Sequence, residues 1–174
     1  MLYEFDNKKP KIGKDTYVSP TAILIGDVTI GDQCYIGHGA ILRGDYGRIE
    51  MGTASAIEEG AVVHAPPDDV CRVGNRVTIG HGAIIHSRSI GDSAVIGMGA
   101  ILSMWAEIGE GSIVAEGSVV KMKQVVPSKV MVGGSPAKII RAIMEKDMIR
   151  WGKGKQLYVD LAKKYLESDM KLIA

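Results

Sequence analysis

The apolar positions of this chain recur every six residues. Ile12, Val18, Leu24, Ile30, Ile36 and Leu42 form one run, and Ile90, Ile96, Leu102, Ile108, Val114, Val120, Val126 and Val132 form another. A stride of six fits neither the 3.6-residue period of a helix nor the alternation of a simple strand, so it reflects a repeating structural unit. Glycine often follows the apolar residue, as in Ile30-Gly31, Ile36-Gly37, Ile79-Gly80, Ile96-Gly97 and Ile108-Gly109. The pattern predicts a mostly β protein, a parallel β-helix of hexapeptide repeats, in which each hexad supplies one short strand and one corner. Three hexads complete a coil.

The stride fails in three places. Leu42 to Met51 and Val63 to Val73 are each too long, and Ile85 to Ile90 is one residue short. The second of these contains Pro66-Pro67-Asp68-Asp69, a turn-forming cluster that predicts a loop leaving the coil, where function tends to sit. Residues 1–134 therefore read as a β-helix with a lead-in strand, and residues 135–174 as C-terminal helices packing on the coil. Ser135-Pro136 reads as an N-cap and first-turn pair for a helix carrying Ile139, Ile140, Ile143, Met144 and Met148. Gly152 and Gly154 are expected to end it, and a second helix from about Gln156 to Glu167 is expected to follow.

Composition agrees with a narrow coil: 22 glycines, one phenylalanine and 5% aromatic residues among 174. The net charge of +1 gives no polyelectrolyte signal for nucleic acid or an anionic membrane. No apolar run is long enough to span a bilayer, and the N-terminus lacks the features of a signal peptide. Cys34 and Cys71 have no metal-ligand spacing and read as packing residues of a cytoplasmic protein.

The count along the coil places the histidines. Val63 to Ile85 is one full circuit, so His64 and His86 occupy one station on one face, a coil apart, at the inter-strand spacing of about 4.8 Å. Two stacked imidazoles pointing the same way are a natural pair of metal ligands. One coil earlier the same station is held by Arg43. His81 lies near a corner of the preceding face, where it cannot easily reach the same ion within its own chain. A neighbouring subunit could supply it if three prisms pack around a threefold axis. His38 matches no ligand position and reads as a polar corner residue.

Arg43-Gly44-Asp45, Val63-His64 and His81-Gly82-Ala83-Ile84-Ile85-His86 resemble the motifs of the γ-class carbonic anhydrases and their ferripyochelin-binding-type kin. The resemblance covers roughly residues 10 to 134 and implies a left-handed coil. It further implies a homotrimer with His64, His81 and His86 holding Zn2+, with Fe2+ or Co2+ as other occupants. A metal-bound hydroxide there would hydrate carbon dioxide to bicarbonate. By the same resemblance Asp45 orders the site and Arg43 pairs with it and steers bicarbonate, roles compatible with simple trimer assembly.

The chain departs from the family in places. Six residues before His64 stands Glu58, where the family has Gln; its carboxylate could be a base, an extra ligand or an obstacle to anion binding. Ala56 replaces an Asn, Tyr46-Gly47 replaces an acidic proton-shuttle loop, and Met104-Trp105 replaces a small turn pair. Trp105 is read as packing or as a constriction of access. Tyr158 resembles a tyrosine that reaches toward the metal pocket, with plain helix packing as the other reading, and Asp68 and Asp69 read as solvated loop charges. Gly133-Gly134-Ser135-Pro136 also resembles the end of the coil in acyl-CoA-dependent hexapeptide acyltransferases. Such a transferase, a thioesterase and a catalytically inactive metal-binding trimer are the competing functions.

Overall fold

The computed structural model describes residues 1–168, 170, 171 and 173. The hexads form short parallel strands, most of them two residues long, wound into a three-sided prism. The first face stacks Leu24, Leu42, Val63, Ile85, Leu102 and Val120 in register. The second stacks Ile30, Met51, Val73, Ile90, Ile108 and Val126, and the third Val18, Ile36, Ile57, Ile79, Ile96, Val114 and Val132. All but Val18 are buried in the central core, each contributing about 1.5–3 kcal/mol by leaving water.

The glycine after the apolar residue is explained by the closeness of successive coils. A Cβ on Gly80 would lie 2.8 Å from the Met98 amide nitrogen, and one on Gly97 would lie 2.5 Å from that of Glu116. Side chains are excluded there because backbone hydrogen bonds such as Gly80 N–H to Ile96 O at 2.8 Å clamp one coil to the next.

All three irregularities of the stride fall at one corner, between the first and second faces. The strand Ile41–Met51 runs straight through it and joins the two faces into one continuous sheet. The predicted loop stands on that strand: Asp68 N–H donates to the Tyr46 carbonyl at 3.1 Å, and Asp69 N–H to Pro66 O at 3.2 Å.

The three outer walls differ. Facing outward on the second are Lys11, Thr29, Glu50, Arg72, Ser89 and Glu107. On the third, Tyr17, Tyr35 and Ala56 are covered by a C-terminal helix, α1 (Glu145–Glu167), through Tyr158, Leu161, Ala162 and Tyr165. Tyr165 stacks on Tyr17 with ring centroids 4.5 Å apart. On the first, Ile23, Ile41, Val62, Ile84, Ile101 and Val119 form an apolar column. Ile84 is 48% and Ile101 37% exposed.

The C-terminal region differs from the expected pair of helices. Ser135-Pro136 caps no helix; the chain turns there and Lys138–Ala142 returns as an antiparallel strand on Val130–Gly133. The last coil would otherwise leave an open sheet edge, and this strand takes up its hydrogen bonds. Helix α1 begins only after Met144, whose N–H is accepted by Asp147 at 2.9 Å, and Arg141 holds that carboxylate with bonds of 2.6 and 3.0 Å. It then runs unbroken through Gly152 and Gly154. Two glycines cost a helix about 1 kcal/mol each, which the packing of the tyrosine cluster outweighs. Among the described residues no helix is long and apolar enough to cross a membrane.

Helix α1 also buries Lys155, 5% exposed, whose ammonium donates to the Ala94 carbonyl at 3.1 Å. Burial, with Arg76 nearby, pushes this amine from 10.5 down to about 8. Between those values the unfolded chain holds more protons than the folded one, so this residue makes stability rise with pH through that window and is most costly below it. Lys155→Met is expected to be more stable than the parent at pH 7 by about 3 kcal/mol, an advantage that fades as pH approaches 10.5. Parallel denaturant titrations of the two proteins across that range check this; a constant difference would contradict it.

Candidate functional site

The corner that absorbs the insertions carries the first cluster. Arg43 pairs in register with His64 at the end of the first face, and His86 stands one coil further on. The imidazoles of His64 and His86 are stacked, 4.7 Å apart and 18° from parallel. Asp45, just past the corner, accepts from Arg43 Nη1 at 2.8 Å and lies 3.1 Å from His64 Nε2. Arg43 Nη2 sits 3.3 Å from His64 Nδ1. Burial works against ionisation of Asp45, but the Tyr46 N–H, His64 and Arg43 outweigh it and hold the carboxyl below its ordinary value.

The opposite edge of the same face carries the second cluster. His81 sits in the corner Gly80–Ala83, where Gly82 takes a positive φ of 66° that turns the chain onto the first face. Its Nε2 lies 3.1 Å from Glu58 Oε2 and its Nδ1 2.8 Å from Glu59 Oε2. Glu58 is 6% exposed and also accepts the His81 backbone N–H at 3.1 Å. Tyr158, on α1, neighbours Glu58, and burial, followed by the influence of that carboxylate, pushes the phenol's pKa up. Glu59 accepts from Tyr35 Oη at 2.6 Å. Glu59 and Tyr35 complete the surroundings of His81 and were not singled out from the sequence. The column His38, Glu59, His81 is readable by the same count that aligned His64 with His86.

The structure therefore brings Arg43, Asp45, His64 and His86 together, and separately Glu58, His81 and Tyr158. Among the described residues of one chain, no group of three or more His, Cys, Asp or Glu side chains forms a metal site. The donor set nevertheless suits a metal ion. His86 Nε2 is buried with no hydrogen-bond partner, and a lone buried ring nitrogen is costly unless something ligates it. Burial first, and then the neighbouring His64, push the His86 pKa down, so the neutral, metal-binding form is favoured.

Other residues resolve into structure. His38 Nδ1 bonds to Ser19 Oγ and its ring meets Tyr165 edge-on, while Ala56 is packed beneath α1. Trp105 turns with φ of 59°, donates its backbone N–H to His86 O at 3.2 Å, and carries Lys123 over its ring at 5.4 Å. Asp69 is no free loop charge: it accepts from Arg88 Nε at 3.1 Å and from the Val70 N–H at 2.8 Å. Cys34 and Cys71 are buried free thiols, pushed up by burial to about 11 and about 12.

Residues 9–44 match the family model for the bacterial transferase hexapeptide (six repeats). Carnitine operon protein CaiE of Proteus sp. (strain LE138) is 42% identical over 147 residues, which cover 84% of this chain and 75% of that protein. Gamma carbonic anhydrase 2, mitochondrial, of Arabidopsis thaliana is 33% identical over 98% of this chain, and the match spans 63% of the plant protein's length. A solved hexapeptide transferase family protein from Anaplasma phagocytophilum superposes with a TM-score of 0.90 at 33% identity, covering 95% of this chain and 98% of that one. With the hexad coil, the histidine column and these relatives in place, the chain belongs to the γ-carbonic-anhydrase-like hexapeptide-repeat family of left-handed β-helix proteins.

Proposed function

We propose that the protein assembles as a homotrimer, that His64 and His86 of one subunit and His81 of the next hold a zinc ion, and that this centre hydrates carbon dioxide to bicarbonate. Iron(II) or cobalt(II) suits the same imidazole donors. The observation that carries this reading is the stacked pair His64 and His86, with its buried, unpartnered Nε2. The relative named as a gamma carbonic anhydrase supports the reaction. The buried free thiols fit a reducing compartment such as the cytoplasm.

The apolar first face supports the assembly. Contiguous exposed apolar surface of this kind marks an interaction site. The two half-sites flank that face at opposite edges, so a head-to-tail ring of three sets the His64 edge of one copy against the His81 edge of the next. His64, His86 and the next subunit's counterpart of His81 would hold the ion, which would supply Lewis acidity toward a water molecule. The protein groups do the rest. Arg43, pinned by Asp45, presents a fixed positive charge beside His64 for the bicarbonate anion. Glu58 orients His81 and stands as the carboxylate that can accept a proton, with the Tyr158 phenol as its neighbour.

Protein purified without added metal is expected to carry about one zinc per subunit. His81→Ala is expected to lose that metal while circular dichroism shows the coil intact, and retained stoichiometric metal would contradict a shared site. Glu58→Gln is expected to change the hydration rate in stopped-flow carbon dioxide assays, with a gain if the native carboxylate restrains the reaction. A metal-free protein that turns over acyl-CoA would instead favour the transferase reading, and thioester hydrolysis or metal without turnover the remaining two.

Ile84→Glu places a charge in the middle of the apolar column. It is expected to give monomers by light scattering and to lose zinc as well. A trimer that survives the substitution would move the interface to another face.

A further inference from the structure

A second cavity lies away from both histidine clusters, between α1 and the upper part of the third face, with a volume of about 340 Å³. Its walls are of two kinds. Val95 and Ile113, pointing outward from the sheet, and Met148 and Trp151 from the helix make an apolar side. Lys155, Arg76 and Lys129 supply positive charge. Two carboxylates also line it, Glu110 and Asp147, but Asp147 is taken up by the bidentate pair with Arg141.

Lys155 is the unusual member. Its ammonium has three donors, and the Ala94 carbonyl takes one of them. Among the described residues, none of Lys155, Arg76 and Lys129 has a carboxylate within ion-pair distance, although Lys155 is 95% buried. An ammonium placed under a helix with one acceptor is costly to the fold, and an apolar side chain such as Met would fill much of the same place at less cost. The arrangement makes sense as half of an ion pair whose other half comes from solution. Its amine, already eased down by burial, would return toward the charged form beside a carboxylate.

We infer that this cavity binds a small organic monocarboxylate, with the carboxylate on Lys155 and Arg76 and the apolar body between Trp151 and Ile113. The size argues for a compact acid. About 300–1,000 Å³ is the range of small-molecule sites, and this cavity sits at its lower end. Inorganic anions would forgo the apolar wall, and neutral molecules of the same shape would leave the ammonium unpaired.

The test uses the full chain carrying Trp105→Phe, which leaves Trp151 as the one tryptophan. Benzoate and hexanoate are titrated against Trp151 fluorescence, with benzamide and inorganic phosphate as controls, and thermal unfolding is recorded alongside. At least one acid is expected to give a saturable change with Kd of about 1 mM or tighter, and to raise the melting temperature. Benzamide and phosphate are expected to bind at least about tenfold more weakly, as is the acid to Lys155→Met, a difference of ~1.4 kcal/mol. Ile113→Phe fills the cavity from the sheet side without touching the charges, and should weaken the acid equally. No saturable response to either acid, equal binding of benzamide, or undiminished affinity in both variants would overturn the assignment.

Discussion

Everything in this molecule depends on the register of one coil upon the next. Parallel backbone hydrogen bonds, such as Gly37 N–H to Ile57 O and Gly80 N–H to Ile96 O, clamp each circuit onto its neighbour. A residue's vertical neighbours are thereby decided by counting along the chain. The core columns, the glycines that admit close approach and the stack of Arg43, His64 and His86 are consequences of one ladder. Faces cannot gain or lose a residue without turning side chains to the wrong side, whereas a corner can. That is why every irregularity of the stride gathers at one corner, and why Asp45 and the Pro66–Asp69 loop stand beside the histidine column.

The prism has three walls, and their different outer surfaces decide where chemistry can be. The second is polar and needs no cover. The third is closed by α1 over its tyrosines, and the first is apolar and bare in the single chain. Both histidine clusters lie along the margins of that bare wall. Among the described residues neither is complete alone: His64 and His86 lack a third imidazole, and His81 has carboxylates with no second imidazole. A geometry that leaves two complementary halves at opposite margins of one sticky surface favours a closed ring over an isologous pair, which would set like half against like half.

The coil and the histidine column were legible in the sequence because a repeat of fixed length converts sequence distance into spatial position. Beyond Gly134 that conversion ends: the sequence indicates a helix packed on the coil over residues 156–167, but not that one helix starts at Glu145 or that a strand precedes it. Lys138–Ala142 holds two adjacent β-branched residues in a run too short for its period to decide between strand and helix. The open sheet edge decided it. Gly152 and Gly154 looked like a helix stop because local propensity was weighed without the tyrosine cluster that α1 docks upon. Glu59 and Asp69 differ in how far counting along the chain reaches them. Glu59 was readable in the His38 column, while the pairing of Asp69 with Arg88 spans a loop whose path no count predicts. Nothing in the sequence marks Lys155, and only the docked helix reveals it as buried.

Glu58 shows how tightly fold and site are tied. Its carboxylate receives the His81 backbone N–H, faces the His81 ring and neighbours the Tyr158 phenol of helix α1. A carboxylate can accept from all of these at once, since it is acceptor-only with lone pairs to spare. An amide in its place offers one oxygen and one NH2 group, so with its oxygen on the His81 N–H its NH2 would turn toward the phenol, which would then have to accept instead of donate. A carboxylate here suits the His81 N–H, which calls for an acceptor. Whatever Glu58 does to a reacting molecule, it also holds the corner that carries His81. A change there acts on the position of His81 as well as on charge.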